Sequence, residues 1–289
     1  MTFSSPRANP SPVPRLFVVV PFWNCEDLLG RCLASLEAQS HDATMVLIDD
    51  GSDAPARDLA RGWCEAKLNR VYLRRERNQG PAAARHEGLR WVLDHASTEH
   101  DVVVLLDGDD ELAHPEVLER LHELYEADPR LGLTLGGHRR VSGRAVYRKR
   151  YRPWHLALRA TRAVPWRARH PRTFRVGLLR EVWPEIRWKW PNGNWLRSGT
   201  DIALVLPLLG AVRWSELAQL EEVLYVYHDV RPDGATLERS LKGRLWQLCT
   251  EAYVRRSLWW SAAALPRLGI AWAVGNLRRR ARAARGRHG

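Results

Sequence analysis

Short apolar runs alternate with segments of helical periodicity over the first 110 residues of the chain. The apolar runs predict strands at residues 16–20, 44–48, 70–74 and 102–106. Between them, apolar residues recur every three or four positions and predict helices near residues 26–38, 55–67 and 82–94. Such alternation is typical of a mostly parallel sheet with helices on both faces, so we expect an α/β fold.

Polar motifs follow three of these strands at the points where the strands end. Pro21–Asn24 follows the first strand, Asp49–Ser52 the second and Asp107–Asp110 the fourth. In parallel sheets, ligands bind beyond the carboxyl ends of the strands. The sequence therefore predicts one ligand site at which the three motifs meet.

The motif Asp107-Gly108-Asp109-Asp110 is the strongest chemical signal, because it follows the buried run Val102–Leu106. Three carboxylates placed close together repel one another, and a divalent cation would neutralise them. Hard cations prefer carboxylate oxygens and keep coordination positions free for substrate phosphates. The alternative is an acidic turn that caps the next helix.

Other phosphate-binding motifs are missing from the expected places. The loop after the first strand, Pro21–Cys25, contains no glycine, which disfavours both a dinucleotide-binding site and a nucleotidyltransferase. A Walker A sequence is also absent. The four cysteines show neither paired CxxC spacing nor zinc-ligand spacing, which favours reduced thiols in a cytoplasmic protein.

The chain is strongly basic, with a formal net charge of +12 over 289 residues. Residues 139–180 contain thirteen Arg, one Lys and no acidic residue, and six Trp lie in or just after this segment. Three interpretations stay open: a binding groove for an anionic glycan or lipid-linked phosphate, an anionic membrane surface, or a solvated basic face. Nucleic acid is disfavoured, because no RNA- or DNA-binding motif accompanies the charge.

Both ends of the chain differ in composition from the rest. Residues 1–14 contain four prolines and no apolar stretch, which predicts a disordered leader rather than a signal peptide. Residues 258–265 and 268–274 are apolar, and six Arg follow between residues 278 and 287. This pattern predicts an interfacial helix with a polybasic end, or a helix packed on the preceding α/β domain, but no membrane-spanning helix.

The ordered set of motifs resembles that of family 2 glycosyltransferases, which are inverting enzymes with a GT-A fold. The matching segments are Val18–Asn24, Asp49–Ser52, Asn78–Arg85 and Asp107–Asp110. The resemblance implies a GT-A-type, mostly parallel sheet flanked by helices, as in nucleotide-diphospho-sugar transferases. It predicts a catalytic domain over residues 15–235, with a nucleotide-sugar half at 15–115 and an acceptor half at 116–235. Residues 236–289 would form a helical, basic extension.

The resemblance also implies roles for residues of the donor half. Pro21 and Phe22 would line the nucleotide pocket, and Asp50 would accept a hydrogen bond from the base of a nucleoside-diphosphate sugar, UDP by family default. The remaining donor-side residues would be Arg85, Asp107 and Gly108, with Asp107 at the ribose or sugar. Asp109 would ligate Mn²⁺ or Mg²⁺; an Asx turn is the alternative role for Asp50.

In the second half, the resemblance assigns Asp201 as the base that deprotonates the acceptor. It stands at a predicted helix start, where the helix dipole would keep it ionised, although Asp is also ordinary at that position. His228, after a predicted strand at residues 224–228, would join the metal ligands, with Asp229 as the nearby alternative. The segment with His170, Arg172 and Arg175 would face the acceptor.

These expectations combine into a metal-dependent glycosyltransferase that acts on a glycan or polyprenyl-linked acceptor with inversion. The protein would be cytoplasmic and peripheral on the inner face of the cytoplasmic membrane. The alternative is a non-catalytic, basic glycan- or membrane-binding protein on a GT-A-like scaffold.

Overall fold

The computed structural model describes residues 13–142, 150–229 and 241–255, with the side chains of residues 241–245 left out. Residues 1–12 of the predicted leader and the apolar and polybasic segments after residue 255 lie outside the described residues. Within the described ranges, no helix combines the length and the apolar character needed to cross a bilayer.

The elements alternate along the first half of the chain as the periodicity predicts. The strands are β1 (Leu16–Phe22), β2 (Thr44–Asp49), β3 (Arg70–Arg74), β4 (Val102–Leu105), β5 (Glu111–Leu112), β6 (Leu133–Arg140), β7 (Arg172–Arg175) and β8 (Leu217–Tyr227). The helices are α1 (Glu26–Glu37), α2 (Ala54–Glu65), α3 (Pro81–His95), α4 (Val117–Ala127), α5 (Pro153–Ala157), α6 (Val176–Val182), α7 (Thr200–Ala211) and α8 (Leu241–Arg255). The four strands and three helices predicted before residue 110 are confirmed, with ends that differ by up to two residues.

The strands form one eight-stranded sheet in the order β3-β2-β1-β4-β7-β6-β8-β5. The four strands β1 to β4 are mutually parallel, whereas β7 runs antiparallel to both β4 and β6. β8 pairs parallel with β6, and β5 closes the edge antiparallel to β8. The sheet is therefore mixed, and the α/β class is confirmed.

Side chains alternate between the two faces of the sheet and enter two separate cores. On β1, Val18 and Val20 pack with α1, α2 and α4, whereas Phe17 and Val19 pack with α3, α6 and α7. All seven residues of β1 are buried, because helices cover both faces of a central parallel strand. Packing on both faces of the sheet holds the strand ends at which the site is built.

Helix α3 approaches the sheet closely through Gly88. A Cβ atom at this position would lie 2.8 Å from Val19 Cγ1 and 2.9 Å from Ile48 Cγ1, so any side chain would press on β1 and β2. Gly62 on α2 is a matched helical glycine, because it is exposed and a Cβ there would meet nothing within 4 Å.

We expect Gly88→Ala to lower the free energy of unfolding by about 1–3 kcal/mol, since an added methyl group overpacks the core. Gly62→Ala should leave it unchanged or raise it by about 0.4–1 kcal/mol through the loss of unfolded-state entropy. Urea unfolding of both variants checks this, and equal stability of the two would contradict the close approach of α3.

Candidate active site

The motifs that end β1, β2 and β4 meet at one rim of the sheet. The backbone N–H of Asp50 donates to the carbonyl of Phe22 at 3.0 Å, and that of Gly108 donates to the carbonyl of Pro21 at 3.1 Å. A Cβ atom at Gly108 would lie 2.5 Å from Phe22 Cβ, so only glycine fits beside that ring residue. The predicted convergence of the three strand ends is confirmed.

Asp50 supports the loop that precedes α3. Its Oδ1 accepts from the backbone N–H of Gln79 at 3.1 Å, and its Oδ2 accepts from that of Gly80 at 2.7 Å. The Arg75 Nε atom lies 3.1 Å from Oδ1. Burial raises the pKa of Asp50, and these donors oppose that effect. The carboxylate thus has a structural role in holding this loop, and its hydrogen bond to a nucleotide base stays a prediction.

Arg85 joins the two halves of the site. Its buried guanidinium donates to Asp107 Oδ1 at the end of β4 and to Thr200 Oγ1 at the start of α7. The same group lies 3.3 Å from Asp201 Oδ1. Burial alone would lower the pKa of Arg85, but Asp107 and Asp201 outweigh it and raise the pKa. The structure therefore brings together Arg85, Asp107 and Asp201.

Asp201 lies in the first turn of α7 and is held by a second arginine. Arg172 Nη2 contacts Asp201 Oδ2 at 3.0 Å, and the Asp201 side chain keeps 29% of its surface exposed. Burial raises the pKa of this carboxyl, but Arg172 and then Arg85 outweigh burial and bring the pKa well below its usual value. The predicted helix start at Asp201 is confirmed, and the carboxylate is ionised at neutral pH.

His170 extends this chain of contacts on the far side of Arg172. Arg172 Nη2 lies 3.0 Å from His170 Nε2, so the imidazole accepts the hydrogen bond and is neutral. Burial and then Arg172 lower the pKa of His170 well below its usual value. Both side chains are buried, and Arg172 also lies 5.9 Å from the centre of the Trp166 ring.

A second polar cluster lies beside Asp107, where β8 ends. The Tyr225 hydroxyl accepts from the backbone N–H of Asp107 at 3.2 Å and donates to Asp110 Oδ2 at 2.7 Å. Asp110 Oδ1 accepts from the backbone N–H of His228 at 2.8 Å. Burial, with Asp107 next, raises the pKa of Asp110 well above its usual value. His228 Nε2 lies 2.5 Å from Glu111 Oε1.

The donor atoms around this cluster fit a hard divalent cation. Asp107, Asp109, Asp110 and Glu111 offer carboxylate oxygens within five residues, and His228 adds an imidazole nitrogen. Mn²⁺ and Mg²⁺ take such oxygen-rich sets. Burial and then the nearby carboxylate of Asp107 raise the pKa of Asp110, and a bound cation would favour the ionised form of both groups. Among the described residues, no three acidic, histidine or cysteine side chains are arranged as a preformed metal cage.

Arg175 is the predicted site residue that the structure does not bring to this rim. It pairs with Val102 at the start of β4, whereas Arg172 pairs with Leu105 at its end. The Arg175 guanidinium donates to backbone carbonyl groups of Leu131, His100, Tyr125 and Asp128. The two arginines stand three residues apart on β7, which is antiparallel to β4, so they lie beside opposite ends of β4.

Sequence reasoning missed Tyr225, Glu111 and Thr200 as members of the site. Tyr225 was visible only as one aromatic residue in the predicted strand before His228. Its buried hydroxyl nevertheless links Asp107 to Asp110. Glu111 and Thr200 stand next to residues that the motifs did identify, and adjacency to Asp110 and Asp201 was the available signal.

Comparison with known proteins gives relatives that each match a part of this chain. Succinoglycan biosynthesis protein ExoW of Rhizobium meliloti (strain 1021) is 32% identical over 127 residues, which are 43% of this chain and 39% of that protein. Poly(ribitol-phosphate) beta-glucosyltransferase of Bacillus spizizenii is 26% identical over 136 residues, 46% of this chain and 20% of that protein. The matches thus span well under two thirds of these relatives' lengths.

Solved structures share the fold at low sequence identity. TarS 1-349 of S. aureus superposes with a TM-score of 0.57 at 22% identity, over 74% of this chain and 60% of that chain. Mannosyltransferase PcManGT from Pyrobaculum calidifontis superposes with a TM-score of 0.56 at 19% identity, over 97% of this chain and 77% of that chain. The likeness extends beyond residue 115, where the sequence motifs end.

The family is shown by a match that covers most of the strands of the sheet. The family model described as glycosyl transferase family 2 matches residues 17–184, more than half of the chain. This range contains all three strand-end motifs together with Arg85 and Arg172. The chain belongs to glycosyl transferase family 2.

Proposed function

We propose that this protein transfers a sugar from a nucleoside-diphosphate sugar to an acceptor hydroxyl, with inversion at the anomeric carbon. The observation that carries the proposal is the placement of Arg85 between Asp107 and Asp201. The buried guanidinium of Arg85 contacts Asp107, in the motif expected to bind the donor, and Asp201, the carboxylate expected to act as base. Donor and acceptor chemistry would therefore take place side by side at Arg85.

The donor class is supported by structures that share the fold. TarS 1-349 was solved in complex with UDP-GlcNAc, and PcManGT in complex with GDP-Man and Mn²⁺. A nucleotide-sugar donor suits the rim at which β1, β2 and β4 end. We assign the donor to Pro21, Phe22, Asp50, Asp107 and Gly108, and leave the base of the nucleotide open because the two neighbours differ in it.

Asp201 is the proposed base. Its carboxylate takes the proton of the acceptor hydroxyl while the acceptor oxygen bonds to the anomeric carbon. The bond from that carbon to the diphosphate oxygen breaks on the opposite face, and the electron pair leaves with the diphosphate. Asp201 is ionised but weakly basic while Arg172 and Arg85 both contact it. A diphosphate near Arg85 would compete with Asp201 for the guanidinium and so raise the pKa of Asp201.

Asp109 and His228 are the residues that we assign to a divalent cation, Mn²⁺ or Mg²⁺. When bound, such an ion stabilises the negative charge of a departing diphosphate as a Lewis acid. The pair between His228 and Glu111 fixes the orientation of the imidazole, as supporting carboxylates commonly do for metal-binding histidines. Tyr225 and Asp110 hold the backbone at both ends of this cluster.

The acceptor side contains His170 and Arg172, beside Asp201 and Trp166. An arginine next to an aromatic ring suits a sugar that carries or adjoins an anionic group. We therefore propose a glycan or polyprenyl-linked acceptor, whose phosphate or acidic groups the basic segment around residues 139–180 attracts.

An anionic membrane surface is the further partner that we propose. Trp154 and Leu158 are 49% and 73% exposed on and just after α5, and Trp214 is 41% exposed in a neighbouring 3-10 turn. Exposed arginines stand next to them in the sequence, or within two positions, at 152, 159 and 213. Exposed aromatic side chains near basic residues are typical of proteins that bind the surface of anionic bilayers. Such contact would place the protein on the inner face of the cytoplasmic membrane.

The proposed base makes a direct prediction. Asp201→Asn should lower kcat by about 100-fold or more while leaving donor binding intact, because general-base contributions are of that size. Release of nucleoside diphosphate from a panel of nucleotide sugars with glycan acceptors measures the rate. Asp94→Asn on the exposed side of α3 is the control. Full activity of Asp201→Asn would refute the base assignment, and no transfer from any donor by the wild type would favour the non-catalytic alternative.

The proposed metal ligand makes a second prediction. Asp109→Asn should weaken Mn²⁺ binding in the presence of UDP or GDP by at least about tenfold, since it removes a charged oxygen ligand. Electron paramagnetic resonance of free Mn²⁺ measures this without any turnover. Asp58→Asn, an exposed carboxylate on α2, is the matched control. Equal Mn²⁺ affinity of the Asp109 variant and the wild type would rule out this ligand.

The membrane surface makes a third prediction. The triple variant Trp154→Ala, Leu158→Ser and Trp214→Ala should lower the partition coefficient onto phosphatidylglycerol vesicles by at least about tenfold. Burial of one such side chain contributes about 1.5–3 kcal/mol, and about 1.4 kcal/mol already corresponds to tenfold. Leu68→Ser, at a fully exposed apolar position between α2 and β3, should have no effect. Flotation of the triple variant at the wild-type level would exclude this surface.

A further inference from the structure

Helix α8 belongs to the predicted C-terminal extension, yet it packs against the turn that carries the proposed base. Thr250 on α8 is 1% exposed and faces Gly199, two residues before Asp201. A Cβ atom at Gly199 would lie 2.9 Å from Thr250 Cγ2 and 3.3 Å from Thr250 Cβ. The Ser198 and Thr250 hydroxyls are 3.4 Å apart. The threonine side chain therefore lies directly over the backbone that starts α7.

The backbone at Gly199 makes this contact consequential. Gly199 has φ +61°, a left-handed conformation that directs the chain into α7, and its carbonyl accepts the first hydrogen bonds of that helix. The next residue, Thr200, contacts Arg85 through its hydroxyl. A shift of this turn would move Asp201 relative to both Arg85 and Arg172.

A second feature of the α7–α8 pair is a cavity that other parts of the chain also line. The cavity has a volume of about 300 Å³ and is lined by Ala203 and Pro207 of α7 and by Val254 of α8. The far end of α8 is fixed instead by hydrogen bonds to other parts of the chain, including Arg187 to the Tyr253 carbonyl at 2.9 Å and the Tyr253 hydroxyl to the Lys189 carbonyl at 3.1 Å. Thr250 is thus a close contact between α8 and the turn at Gly199.

We propose that Thr250 is a positioning residue, which presses on Gly199 and so sets the location of Asp201 between its two arginines. This inference rests on the proposed function, because it concerns the base of that reaction. Thr250 itself touches neither Asp201 nor the rim at which the donor is expected. Its loss should therefore change the rate of the chemical step and leave donor binding unchanged.

A clash-and-rescue experiment on the full-length chain tests the contact. Gly199→Ala introduces the methyl group that meets Thr250 Cγ2 and should lower kcat by roughly 10- to 100-fold, the loss expected from a small misplacement of a catalytic group. The KM for the nucleotide sugar should stay within about twofold of the wild type. Adding Thr250→Ser removes Cγ2 but keeps a hydroxyl that can bond to the Trp246 carbonyl, and should restore most of the lost kcat.

Gly193→Ala provides the matched control. Gly193 also has a positive φ, +84°, but a Cβ there would meet nothing within 4 Å, so this variant carries backbone strain without a new contact. We expect it to keep the wild-type kcat. Wild-type kcat in Gly199→Ala would overturn the proposal, and so would a loss that Thr250→Ser does not relieve, because strain alone would then explain it.

The activities of the Asp201, Gly199 and Thr250 variants distinguish the positioning role of Thr250 from the base role of Asp201. If Asp201→Asn is inactive while the Gly199 and Thr250 variants turn over normally, only the positioning role fails. If Asp201→Asn keeps full activity, the base assignment fails, and the positioning role fails with it.

Discussion

The buried guanidinium of Arg85 is the constraint on which the site depends. A cation taken out of water needs anions and acceptors around it, and Asp107, Asp201 and Thr200 supply them. Asp107 follows the end of β4, whereas Thr200 and Asp201 lie in the first turn of α7. Their mutual attraction therefore fixes the end of β4 against the start of α7, and with it the relation between the donor side and the proposed base.

The same electrostatic logic extends outward from Arg85. Arg172 holds the second oxygen of Asp201, and His170 accepts from Arg172 as a neutral imidazole. On the opposite side, Asp107 is linked through Tyr225 to the buried carboxyl of Asp110. Positive and negative groups thus alternate from Arg172 through Asp201 and Arg85 to Asp107, so a bound diphosphate or cation would redistribute existing contacts.

The donor half could be predicted from the sequence because its signals are local. Apolar runs and helical periodicity located β1 to β4 and α1 to α3, and the parallel arrangement placed their polar ends at one rim. The acceptor half carries weaker local signals, since its strands β6 and β7 are short or interrupted and its sheet order is set by long-range pairing. Arg175 illustrates the limit: its charge resembles that of Arg172, but the antiparallel register of β7 sends it to the other end of β4.

The sequence by itself determined the α/β class, the strand-end motifs and the helix start at Asp201, because each depends on residues close together in the chain. Tertiary structure alone decided that Arg85 lies between Asp107 and Asp201, that Tyr225 connects two carboxylates, and that Thr250 covers Gly199. Those contacts join residues up to 118 positions apart. Only tertiary packing brings such residues together, and patterns of neighbouring residues in the sequence do not predict which distant residues will meet.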